Sequence, residues 1–186
     1  MLEDVGRGLM ASAILRDMVE ADYPFLYSSW LKSYKPSRSV GPLPSNLYWS
    51  VVKETIEQIL ARKGIICKVA CNSEDPEQIF GYLVAEDNGA LPVCHYLYVK
   101  QPFRRLGIAR MLINAFLAER RTFKHTFKTR DCRHLPSSYC GIYSPDEVRR
   151  KPGERKDRET NPAMVSEKRP ATQAGKKDYG RVNGDV

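Results

Sequence analysis

The chain has 186 residues, room for one domain of ordinary size with some excess, and an apolar share of 42% supplies a real core. No apolar run approaches the ~20 residues that cross a bilayer, and the start MLEDVGRGLM carries acids early with no basic lead-in, so neither a spanning helix nor a secretory leader is expected and the protein is placed in the cytoplasm. The net charge of +8 is concentrated: ten basic residues stand against two acids between Lys100 and Arg133, which calls for an anionic partner without saying which.

In chain order, ASAILRDMV reads as a strand. Asp22 then caps a helix with Pro24 in its first turn and Leu26, Trp30, Leu31 and Tyr34 at helical spacing. KPSRSVGPLPSN, with three prolines and a glycine, reads as a long mobile loop. Ser45 or Asn46 caps a second helix whose buried stripe is Val52, Ile56, Ile59 and Leu60, stopped at Gly64. The period then changes: IICKVAC and IFGYLVAED form a hairpin across NSEDPEQ, and VCHYLYV is a further strand. The turn QPFRRLG leads into a helix with Ile108, Met111, Leu112, Ala115 and Phe116 on one face, followed by a strand, TFKHTFKT. The order is β-α-α-β-β-β-α-β, an α/β layout with an antiparallel front half and one crossover. Residues 1–145 read as one domain and 146–186 as a charged, disordered tail, since the last 36 residues hold nine basic and six acidic side chains and few apolar ones. Cys67, Cys71, Cys94, Cys132 and Cys140 are odd in number and lack CxxC spacing, so they read as free thiols, and no metal site is expected.

The stretch VKQPFRRLGIAR, Val99 to Arg110, joins a strand to an amphipathic helix through a basic, glycine-containing turn. The first amides of a helix have no intrahelical acceptor, and the helix dipole adds positive charge there, so a pyrophosphate is stabilised at such a turn. Gly107 lets the backbone approach without a Cβ. The alternative is that Arg104, Arg105 and Arg110 merely solvate a helix end.

RRLGIA, Arg104 to Ala109, after a strand ending in Val99 and with three strands and two helices ahead of it, resembles the acetyl-coenzyme A signature of the GCN5-related N-acetyltransferase (GNAT) superfamily. The resemblance covers roughly Ser12 to Thr129 and extends to uncharacterised acetyltransferase-like proteins of phage genomes. It implies a GNAT-like, mostly antiparallel sheet flanked by helices with a shortened C-terminal half. It also implies acetyl-CoA held by Leu97, Tyr98, Val99, Arg104, Arg105, Leu106, Gly107, Ile108 and Ala109, and a splayed gap between the strand ending in Val99 and the one beginning near Phe123.

Acetyl transfer to an amine needs a neutral nucleophile and often a proton for the departing thiolate. The position where many family members carry a carboxylate base is Val93 here. His95, two residues on and read as sharing its face, is the substitute, either as a base or as a histidine packed in the sheet. Tyr96 and Tyr98 are read on the opposite face. Glu86 and Asp87 at the end of the preceding strand are further candidates. The family's general acid, commonly a tyrosine, falls on Tyr139 or Tyr143, in a segment with little room for the family's final strand pair. Tyr23, Phe25, Tyr27, Trp30 and Tyr34 occupy the acceptor region.

The reading is thus an acetyl-CoA-dependent N-acyltransferase acting on a small-molecule or protein amine. The alternatives are Mom-type modification of nucleic-acid bases through the basic span 100–133, or a binding module that keeps the fold without chemistry. Acceptor, acyl group and oligomeric state are left open.

Overall fold

A computed structural model describes residues 12–87, 89, 91–129 and 138–149. Strand β1 (Ala13–Asp17) leads through a 3-10 turn into helix α1 (Tyr23–Tyr34) and then α2 (Ser45–Leu60). Strands β2 (Ile65–Asn72), β3 (Ile79–Glu86) and β4 (Val93–Val99) follow, then helix α3 (Ile108–Leu117), β5 (Thr122–His125) and β6 (Cys140–Tyr143). The six strands form one sheet in chain order. Strands β1 to β4 are antiparallel neighbours, while β4 to β5 and β5 to β6 are parallel. This is a mixed α/β fold with a largely antiparallel front half and helices on the sheet.

Both faces of β3 are fully buried because each is covered by helix. On one face α1 and α2 pack Leu26, Trp30, Tyr34, Tyr48, Val52 and Ile56 against Val69, Tyr82, Val84 and Tyr96. On the other, α3 packs Ile108, Leu112, Ile113, Phe116 and Leu117 against Ala70, Phe80, Leu83, Ala85 and Phe123. Each large side chain taken fully out of water in these clusters contributes about 1.5–3 kcal/mol. Gly81 fits because β3 and β4 close tightly there: a Cβ would collide with the carbonyl of Tyr98 opposite.

Several local expectations change. Asp22 starts α1 but makes no side-chain cap; its carboxylate accepts from the Val19 amide at 2.9 Å and takes both guanidinium nitrogens of Arg16. That arginine holds the Asp22 carboxyl below the usual carboxylate range. Helix α2 is capped by Pro44, with Ser45 its first residue, and Tyr48 joins its buried stripe while Leu60 is half-buried. The segment before it is closed by its own hydrogen bonds, Gly41 N to Ser37 O at 2.8 Å and Lys35 Nζ to Leu43 O at 2.9 Å. On α3, Ala115 is exposed and Ile113 and Leu117 are buried instead, a rotation toward the wider apolar arc. Strand β5 stops at His125, four residues short of the expected run, and β6 was not expected at all.

The amino-terminal eleven residues, Cys132 and the expected tail from 150 onward lie outside the described residues. Asp146–Arg149 are described, as the end of a 3-10 helix starting at Pro145. Among the described residues no cysteine is in a disulfide, no helix is long and apolar enough to cross a membrane, and no cluster of His, Cys, Asp and Glu is arranged to hold a metal.

Candidate functional site

Strand β4 pairs with β5 only at Val93 with Lys124 and Cys94 with His125; Thr126 N to Cys94 O at 3.3 Å is the last backbone bond on that side, and Thr126 Oγ1 lies 3.4 Å from His95 O beside it. Beyond it β4 runs on to Val99 paired with β3 alone, so Leu97, Tyr98 and Val99 present a strand edge with no strand partner on that side among the described residues. An edge of this kind receives an extended amide chain as an added strand.

The turn after β4 aims backbone amides at the same end. A 3-10 helix (Gln101–Phe103) packs Phe103 on Phe80 with ring centroids 4.6 Å apart. Arg104 turns back on the strand, its Nε donating to Val99 O at 3.1 Å, so this arginine fixes the turn. Arg105 takes a φ of 65° and Gly107 a φ of 89°, left-handed conformations that glycine tolerates and that reverse the chain into α3. The first bond into the helix is Met111 N to Gly107 O at 3.0 Å, and the amides of Ile108, Ala109 and Arg110 precede it. The Ile108 side chain is buried, so at that residue only backbone faces the turn. Unbonded amides, a helix N-terminus and a residue without a Cβ fit a diphosphate.

On the other side of the fork lies a buried polar chain. Strand β4 carries a bulge: Val84 faces Tyr96 while Ala85 faces Cys94, leaving His95 as the extra residue. Strict alternation therefore fails, and Cys94 and Leu97, three apart, join the α3-side core while Tyr96 joins the other. Val93 pairs with Glu86, whose carboxylate the His95 ring faces, so Val93 and His95 share a face as expected; the bulge instead brings Tyr96 and Tyr98, expected on the opposite face, to that same α1/α2 side. The His95 ring lies with Nδ1 3.2 Å from Thr126 Oγ1 and Nε2 3.6 Å from Glu86 Oε1. Arg62, just past α2, places Nη1 3.4 Å from the same Glu86 oxygen and donates to the carbonyls of Glu147 and Val148. His95, Thr126, Glu86 and Arg62 are 1%, 3%, 4% and 8% exposed. Burial holds the His95 imidazole below the ordinary histidine value, opposed by the Glu86 carboxylate, so the ring is neutral near pH 7.

Thr126 also reaches the surface of a pocket of about 370 Å³ on the α1/α2 face, whose walls include Tyr34, Val51, Val52, Phe127 and Tyr143 and whose charged residues are Asp146 and Arg149. Phe127 is set edge-on to Trp30 and Tyr34, at 5.2 and 4.9 Å, and Trp30 stacks on Tyr96 at 4.4 Å. Trp30 and Tyr34 of the aromatic set are thus buried around Phe127, whereas Tyr23, Phe25 and Tyr27 are half-buried. On the α3 face a separate cleft of about 770 Å³ is lined by Arg110, Asn114, Arg120, Arg121 and Tyr139. Tyr139 donates to Asn114 Oδ1 there, and Asp87 is taken up by Arg120. Tyr143 sits on the apolar pocket, its ring 5.4 Å from that of His125. The two candidate tyrosines therefore belong to different surfaces, and His95 is joined with Tyr143's pocket. Arg62, Thr126 and Glu147 were not singled out by the sequence, and no periodicity or spacing marks them.

No family model and no curated protein sequence matches the chain. Among solved structures the fold is similar to a Pyrococcus furiosus protein described as an acetyltransferase (TM-score 0.46, 19% identity, 55% of this chain and 70% of that one). It is also similar to the PaiA N-acetyltransferase of Thermoplasma acidophilum solved with coenzyme A (TM-score 0.41, 16% identity, 56% and 69%). A third is the GNAT-family N-acetyltransferase YhbS of Escherichia coli, also with CoA (TM-score 0.39, 21% identity, 57% and 55%).

Proposed function

We propose that the chain is an acetyl-CoA-dependent N-acyltransferase of the GNAT type, working in the cytoplasm. The observation that carries it is the fork: β4 leaves β5 after Cys94, and the turn that follows brings unbonded amides and Gly107 to the end of the freed edge. The edge from Leu97 to Val99 takes the pantetheine arm, and the amides from Arg105 to Ala109 take the diphosphate. Bound acetyl-CoA supplies an acyl group activated as a thioester.

The chain's own residues manage the proton. With its proton on Nε2, toward Glu86, neutral His95 offers Nδ1 to the Thr126 hydroxyl. A proton leaving the acceptor nitrogen passes to Thr126 Oγ1 while the Thr126 proton passes to His95 Nδ1, and Glu86, held by Arg62, faces the imidazolium. Each turnover takes one proton from the amine and gives one to the released thiol, so His95 ends neutral. Tyr143, on the same pocket, is assigned the return of that proton; Tyr139 faces the α3 cleft.

A second reading rests on that cleft. Arg110 and Arg121 line it without an ion pair among the described residues, which suits a phosphate-bearing polymer such as nucleic acid. Millimolar acetyl-CoA is expected to raise the melting temperature, and addition of a primary amine to release free thiol. No thermal shift overturns the acyltransferase reading; a shift with no thiol release for any amine leaves a binding module.

A further inference from the structure

We propose that the pocket on the α1/α2 face binds the acceptor, and that the acceptor is a small primary amine on an uncharged, ring-bearing or branched apolar body. This rests on the acyltransferase reading and narrows it.

Three observations converge. The pocket's volume of about 370 Å³ is that of a small-molecule site. Its walls from Tyr34, Val51, Val52 and Phe127 are hydrocarbon and aromatic ring, and Phe127 is held in place by the edges and faces of Trp30, Tyr34 and Tyr96, so the surface is preorganised for an apolar group. Such a group gains by leaving water, whereas a polyamine or a phosphate chain entering here would lose hydration with little in return.

Charge points the same way. Among the lining residues the one carboxylate, Asp146, and the one guanidinium, Arg149, cancel, and the further cation at the rim, Lys128 5.7 Å above the Tyr143 ring, opposes a polyamine rather than drawing it in. The unpaired arginines lie on the other face of the sheet. Thr126 joins the pocket to the proton path: it lines the pocket and stands 3.2 Å from His95 Nδ1. An amine nitrogen at this end of the pocket is therefore beside the group that takes its proton, while its body fills the aromatic end.

Binding is read without acetyl-CoA, so that it stands apart from turnover. In the full chain carrying Trp49→Phe, Trp30 is the remaining one of two tryptophans, and its ring lies 5.2 Å from that of Phe127. Titration with 2-phenylethylamine is expected to change Trp30 fluorescence with saturation, and spermidine or a short single-stranded oligonucleotide is not. Val51→Arg, at a position 44% exposed, puts a guanidinium on the pocket wall and is expected to weaken 2-phenylethylamine binding by at least about tenfold at unchanged melting temperature. Tyr143→Ala, which removes another ring from the pocket wall, is expected to weaken it several-fold. Saturable binding without thiol release upholds the pocket and removes the acyltransferase reading. Turnover of 2-phenylethylamine untouched by Val51→Arg and Tyr143→Ala, or stronger binding of spermidine or oligonucleotide at the pocket, overturns the proposal.

Discussion

On the α3 side of the sheet the open surface is a cleft with Arg110, Arg120 and Arg121 in its walls; on the α1/α2 side it is a pocket of valines and aromatic rings whose two charges cancel. Both surfaces draw on the stretch from Lys100 to Arg133 that carries the chain's net charge. Its described basic residues do not form one patch. Arg104 is spent on the Val99 carbonyl, Lys124 turns inward to Glu147 at 3.2 Å, Arg120 is held by Asp87, and Lys128 lies 5.7 Å above the Tyr143 ring. A cluster of charge in the sequence is thus divided by the sheet into structural ties, a cleft wall and a pocket rim. The lesson is that local charge density predicts a partner only after each head group has been assigned a neighbour.

The largest test of this division is His95→Gln. It is expected to lower turnover by about 10²–10⁴ while leaving the thermal shift by acetyl-CoA in place; loss of the shift instead would mean that the two sides are not separate. The pH dependence follows from burial, which depresses the folded-state value of His95 below the unfolded ~6.5. The stability that goes with neutral His95, and the fraction of the ring able to accept a proton, are therefore complete above pH ~6.5 and are lost as pH falls through the folded value. Glu86 works against that depression, so Glu86→Gln is expected to move the acid limb of the pH–rate profile to lower pH, which a purely structural carboxylate would not do.

Next in size is Gly107→Val. A β-branched residue at φ 89° is strained by about 1–3 kcal/mol, so the KM for acetyl-CoA is expected to rise roughly 10- to 100-fold while 2-phenylethylamine still alters Trp30 fluorescence. An equal loss of both ligands would join what the sheet is argued to separate. The smallest effect belongs to the cleft. Arg110→Ala and Arg121→Ala are each expected to lower the slope of log affinity against log salt for single-stranded oligonucleotide by roughly 0.7, leaving thiol release unaltered. Slopes unchanged by both would remove the cleft as a polyanion surface.

Much of this was legible in the sequence because it depends on local pattern. Periodicity places α1, α2, α3 and the first four strands, and the turn at Gly107 follows from a glycine between a strand and an apolar helix. What escaped depends on distant neighbours. Strand β6 is four residues of exposed CGIY, with no burial to impose alternation, and exists because β5 offers it a parallel edge. The Arg62, Glu86 and Thr126 grouping joins residues from three parts of the chain, and no spacing records that. In the sequence Glu86 is only one of two acids at a strand end, yet the register opposite Val93 and Arg62 just past α2 bury its carboxylate.

The extra residue in β4 has a consequence for how this chain can change. Upstream of His95 the strand is bonded to β5; downstream it is a free edge, and the insertion resets which way Tyr96 and Leu97 look. Substitution anywhere in VCHYLYV alters one contact. Removing His95, the extra residue, would restore one-to-one pairing with β3 and leave Tyr96 and Leu97 facing as they do, whereas adding one more residue after it would send Tyr96 toward α3 and Leu97 toward Trp30. The strand is thus six paired positions and one spare, and the spare residue is the one that carries the buried polar ring.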